Sequence, residues 1–172
     1  MLLMPNNPRR ASRLVCVAAI ALTLSCTKAP DVPALTSRVN DFAHVLHGNE
    51  REALENDIIQ FENSSGAILV MVTAQSFQPF SSISAFADEL FKNHGRGIGD
   101  ASRNNGLLVV LAVEDRQVRI TTGLGMEQVV TNPVAADISQ QMTLDFRRGA
   151  YGQGLQSGVA ALRRVFDERY GR

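Results

Sequence analysis

Cysteine is nearly absent: the chain has two, Cys16 and Cys26, and none after Cys26. Beyond that point no disulfide framework, thiolate metal site or cysteine nucleophile is available. A basic excess is lacking as well. The chain carries 17 basic and 17 acidic residues; without Arg9, Arg10 and Arg13 the basic count falls to 14, a net charge of −3 beyond residue 25. A general nucleic-acid binder should be basic, so that class is disfavoured. There is no Gly-x-Ser-x-Gly elbow, which argues against a serine hydrolase. Glycines cluster at Gly95-Arg96-Gly97-Ile98-Gly99 and Gly123-Leu124-Gly125. Neither is a full dinucleotide fingerprint and no Gly-Lys-Ser/Thr loop is present, so no nucleotide site is expected. His44, His47 and His94 lack a third ligand at zinc-binding spacing. No internal repeat is visible.

What is present begins with an export pattern. Arg9, Arg10 and Arg13 precede an apolar run of 11 residues, Leu14 to Leu24, broken only by Thr23, and no acidic residue stands before Asp31. This is the charged, apolar, small-residue layout of a secretory signal over residues 1–25. The run is too short for a membrane-spanning helix, which needs about 20 residues. Leu22-Thr23-Leu24-Ser25-Cys26 is similar to a bacterial lipobox, with Thr23 where Leu is usual. By that resemblance Cys26 is the lipidation site. A chain carrying several acyl groups there would be firmly tethered. The expectation is a periplasmic, membrane-anchored lipoprotein, at the outer membrane by resemblance to enteric lipoproteins with Thr27 after the cysteine. Cleavage without lipidation would leave a soluble periplasmic protein. Residues 26–37, with Pro30 and Pro33, read as a tether with little to bury.

Residues 38–170 read as one domain. Asn49 opens a helix with Glu52 as reciprocal cap; Leu54, Ile58 and Phe61 share its face, and Gly66 comes after it. Ala67–Thr73 is a continuous apolar run, expected as a buried strand. Ile83, Phe86, Ala87, Leu90 and Phe91 form an amphipathic helical stripe. Leu107–Val113 is a second buried strand, and Val118, Ile120 and Thr122 alternate as a third, antiparallel to it. Asn132-Pro133 starts another helix, with Asn132 as cap. Leu155, Val159, Leu162 and Phe166 mark the last. The fold class is α/β: a small mixed sheet flanked by helices on both faces, a three-layer, Rossmann-like single domain. Its strand–helix–strand unit is expected to be a right-handed crossover.

Val39-Asn40-Asp41-Phe42-Ala43, Gly97-Ile98-Gly99-Asp100, Asn104-Asn105-Gly106-Leu107-Leu108, Arg119 through Glu127, and Tyr151-Gly152-Gln153-Gly154-Leu155 occur in that order. In these stretches the chain resembles the TPM domain family of bacterial envelope and thylakoid-lumen proteins. His94 and Asn132 depart from the family, which usually has Trp and Asp there, and the family's membrane-spanning tail is missing. The resemblance implies calcium binding in some members and weak phosphatase activity in others. It also implies a role in the assembly or repair of membrane complexes.

In the expected hairpin, the start of one strand lies beside the end of the other. Asp100, Asn104, Asn105 and Glu127 then gather at one edge of the sheet, with Asn132 close by. Asp41 joins them only by the resemblance. These are hard oxygen donors on a Gly-rich loop, a set suited to Ca2+ and less to Mg2+. Taken singly, Asp100 is also accounted for as a turn former and Asn132 as a cap. Two functions are open. One is a lipid-tethered, divalent-cation-binding adaptor docking onto an envelope protein. The other is a weak metal-dependent phosphatase acting on phosphomonoesters.

Overall fold

The computed structural model describes residues 30–171. The expected export segment and the expected lipidation site, Cys26, lie outside these residues. Four strands form one sheet in the order β1 (Val39–Asp41), β2 (Ile68–Ala74), β3 (Gly106–Ala112) and β4 (Gln117–Thr122). β1 to β3 are mutually parallel and β4 is antiparallel to β3. The helices are α1 (Glu50–Ser65), α2 (Ile83–Lys92), α3 (Asn132–Phe146) and α4 (Tyr151–Tyr170).

Every residue of β3 is buried, as expected of a strand covered on both faces. Alternate side chains enter two separate cores. Leu107 and Val109 join Leu69, Met71 and Ile120 beneath α1, α3 and α4. Leu108, Val110 and Ala112 join Val72 and the α2 residues Ile83, Phe86, Ala87 and Leu90. The three-layer reading therefore holds, and the apolar stripes of α1, α2 and α4 point inward as the spacing predicts.

β1 escapes the sequence reading because three residues, Val-Asn-Asp, carry no periodicity. Its presence creates a second strand–helix–strand unit. Both units step the same way across the sheet, yet α1 and α2 lie on opposite faces. The two crossovers therefore have opposite hands, and one departs from the right-handed rule.

Local signals are also corrected. Asn49 makes no side-chain cap; instead the Glu50 carboxylate accepts the His47 N–H at 2.8 Å. Thr131, not Asn132, precedes α3, and Asn132 is its first residue. The segment read as a bare tether packs in part: Val32 and Leu35 are buried in the α2 core. Each contributes about 1.5–2 kcal/mol, comparable to the cost of fixing its own backbone.

α4 meets its neighbours through glycines. A Cβ at Gly154 would overlap the Phe146 ring, and one at Gly158 would lie 2.7 Å from Met142 Sδ. These close approaches let α3 lie directly on α4. Buried Asp145 ties the same junction, accepting hydrogen bonds from Arg148 and, at 3.1 Å, from Ser157 Oγ.

Candidate functional site

The antiparallel pairing of β3 with β4 brings the loop before β3 against the turn after β4. Gly123 N–H donates to the Gly106 carbonyl at 2.8 Å, and Gly125 N–H to the Asn104 carbonyl at 3.1 Å. The backbones touch so closely that a Cβ at Gly125 would overlap the Arg103 carbonyl oxygen, and one at Gly123 that of Asn104. Asp100 and Glu127 thus belong to adjoining loops at one end of the sheet, as the hairpin geometry predicts.

Within this edge the residues divide by what they already do. Asn105 is 2 % exposed. Its Oδ1 accepts the Asp100 N–H at 2.8 Å, and its Nδ2 donates to the Gly66 carbonyl at 2.6 Å. Both amide atoms are used in bracing the loop. Asp100 forms a turn of its own: its Oδ1 accepts from Ser102 N–H at 2.8 Å, Ser102 Oγ at 2.5 Å and Arg103 N–H at 3.3 Å. The Ser102 hydroxyl, then the two amides and the Arg103 charge, hold the Asp100 carboxyl below its ordinary range. Each stabilises the carboxylate over the acid form. Arg103 Nε stands 3.8 Å from Asp100 Oδ2.

Glu127 is exposed, and its carboxylate has no partner among the described residues. Asn104 is exposed in a left-handed conformation, φ 49°. Asn132 is exposed at the start of α3. Asp41 is elsewhere. It pairs with Thr73 near the far end of β2, whereas Asn105 precedes Gly106, which pairs with Ile68 at the near end. Five residues of strand separate these levels, about 16 Å. There the Asp41 carboxylate accepts from Thr73 Oγ1 and from the N–H groups of Val45 and Leu46 at 3.2 and 3.1 Å. It organises the β1–α1 loop and cannot share a cation with Glu127. Among the described residues no group of three or more His, Cys, Asp or Glu is arranged to hold a metal ion.

The edge contains one residue that sequence reasoning misses. Leu124 is 73 % exposed, on a turn fixed by the contacts of Gly123 and Gly125 and by the 2.8 Å bond from Met126 N–H to the Gly123 carbonyl. The only signal for it in the sequence is an apolar residue between two glycines, a pattern that also marks a plain strand break.

A TPM domain model matches residues 39–165. The chain is similar to the solution NMR structure of an N-terminal domain from P. gingivalis, with 30% identity and a TM-score of 0.68, covering 80% of this chain and 86% of that one. It also shares its fold with an N-terminal domain from Corynebacterium glutamicum (14% identity, TM-score 0.60, covering 78% and 84%). A third likeness is to the BA42 protein of the psychrophilic bacterium Bizionia argentinensis (21%, 0.58, covering 72% and 82%). No curated protein matches the sequence. The family match spans most of the chain, from β1 to the body of α4, and takes in both loops of the edge: the chain belongs to the TPM domain family.

Proposed function

We propose that this TPM domain is a binding module, tethered in the bacterial envelope through Cys26, that docks onto a membrane-protein complex by the edge formed from residues 98–105 and 123–127. The observation that carries the reading is Leu124, an apolar side chain 73 % exposed on a turn held rigid by backbone contacts. A large apolar group displayed on a pre-ordered loop costs little further ordering on binding, and burying it contributes about 2 kcal/mol. The unpartnered carboxylate of Glu127, three residues on, adds a polar contact to such a surface.

Calcium is proposed as a weak modulator of this edge. A cation there takes its charge from Glu127 and must compete with Arg103 and Ser102 for Asp100. Such a site belongs to the range of about 10⁻⁴–10⁻³ M typical of extracellular modules. Mg2+, which demands strict octahedral geometry, fits two loop carboxylates less well. The phosphatase reading has no observation in its favour at this edge.

The test is site-specific photo-cross-linking in cells. A photoreactive residue at position 124 is expected to capture a discrete envelope protein, and one at exposed Leu144 on α3 is not. Equal labelling from both positions contradicts the reading.

A further inference from the structure

At the opposite end of the sheet, where the parallel strands finish, lies a cavity of about 520 Å3 between the β3–β4 hairpin and the α3–α4 junction. Ligands of open α/β sheets characteristically sit outside the carboxyl ends of the strands, and the volume is within the range of small-molecule sites. Its walls are of two kinds. Val113, Val118 and Phe146 supply apolar surface, and Arg116 and Arg147 supply charge; no carboxylate lines it.

The two arginines share with Arg119 and Arg169 the lack of a partner among the described residues, and of these four they are the two that line the cavity. Arg38, Arg51, Arg103 and Arg148 each pair with a carboxylate. Arg96, Arg163 and Arg164 donate to side-chain or backbone oxygens. Among the described residues the guanidiniums of Arg116 and Arg147 have no hydrogen-bond or ionic partner. Two like charges lining one partly apolar cavity disfavour each other, and an anion bound there offsets that cost. Guanidinium is also the group best matched to a carboxylate or phosphate head, either of which it binds through two parallel hydrogen bonds. Tyr151, which lines the cavity and opens α4, stacks on Phe146 with centroids 6.0 Å apart and an interplanar angle of 29°. The stacked pair adds aromatic surface to the lining.

We propose that this cavity is a binding site for a small oxyanion carried on an apolar body, with Arg116 and Arg147 clasping the anionic head and Val113, Val118, Phe146 and Tyr151 holding the body. Carboxylate and phosphate monoester share this chemistry. The site is separate from the loop edge and does not depend on it.

The experiment titrates the protein with benzoate, phenyl phosphate and uncharged benzamide, following backbone amides by NMR. Both anions, or one of them, should shift Arg116, Gln117, Gly149 and Tyr151 saturably, with benzamide at least tenfold weaker; the stronger anion identifies the preferred head group. Arg147→Gln and Arg116→Gln should each weaken the anion about tenfold or more, and Arg147→Lys should recover part of the loss. Both arginines are exposed, so the variants are expected to melt like the parent. Equal binding of benzamide, unchanged affinity in Arg147→Gln, or no shift with either anion at millimolar concentration would overturn the proposal.

Discussion

The buried side chain of Asn105 accepts the backbone N–H of Asp100 at 2.8 Å while donating to the Gly66 carbonyl at 2.6 Å. One carboxamide thus fastens the loop before β3 to the start of β2. Removing it leaves the Gly66 carbonyl without its donor and the Asp100 N–H without its acceptor, which costs about 1–3 kcal/mol. Asn105→Ala should lower stability to urea by that amount. Exposed Asn104, whose φ of 49° glycine also accepts, should be replaceable by Gly within about 0.5 kcal/mol. Equal effects at the two positions would remove Asn105 from its bracing role.

Gly125 is the tightest contact between the two loops. A Cβ there overlaps the Arg103 carbonyl oxygen, which is backbone and cannot swing away. Gly125→Ala should therefore cost about 1–3 kcal/mol and displace the amide resonances of Arg103 and Asn104 more than those of the β3–β4 hairpin turn. A variant with native stability and unshifted Arg103 would show that the loops are not pressed together.

Acid should release the Asp100 turn. Its carboxyl is held below the ordinary range by the Ser102 hydroxyl, the Ser102 and Arg103 amides and the Arg103 charge. The native state thus favours the ionised form more than the unfolded state does. The turn's contribution is complete above about pH 4 and is lost as pH falls through the lowered native value. An NMR titration should give the Ser102 amide a midpoint below that of an unstructured Asp peptide. A midpoint at or above the peptide's would contradict the turn.

Calcium should bind weakly and locally. At 10 mM, against a dissociation constant of about 1 mM, the gain is roughly 1.4 kcal/mol, a melting rise of roughly 3–6 °C for a domain of this size. Differential scanning calorimetry should find the rise in the parent and not in Glu127→Gln. A rise that survives in Glu127→Gln would move the cation elsewhere, and no rise in either would remove calcium from the account.

Much of the fold is legible in the sequence because long apolar runs and helical stripes report burial directly. Ile83, Phe86, Ala87 and Leu90 are all in the α2 core, and a hairpin brings the Asp100 and Glu127 loops together whatever surrounds it. What the sequence withholds is set by partners remote in the chain. The place of Asp41 depends on β1 pairing in parallel with β2, which three residues do not announce. The task of Asn105 depends on Gly66, 39 residues away. The turn at Asp100 is legible, since Ser102 and Arg103 are its near neighbours. Leu124 is not, because exposure is a property of the folded surface and an isolated leucine carries no pattern.

The most direct measurement compares photo-cross-linking from position 124 in cells for the parent and for Gly125→Ala at matched protein levels. If the edge docks because its loops are pre-ordered, the parent should yield one discrete envelope adduct and Gly125→Ala should lose most of it. An adduct of undiminished yield in Gly125→Ala, or none in the parent, would contradict the assignment of this edge as the contact surface.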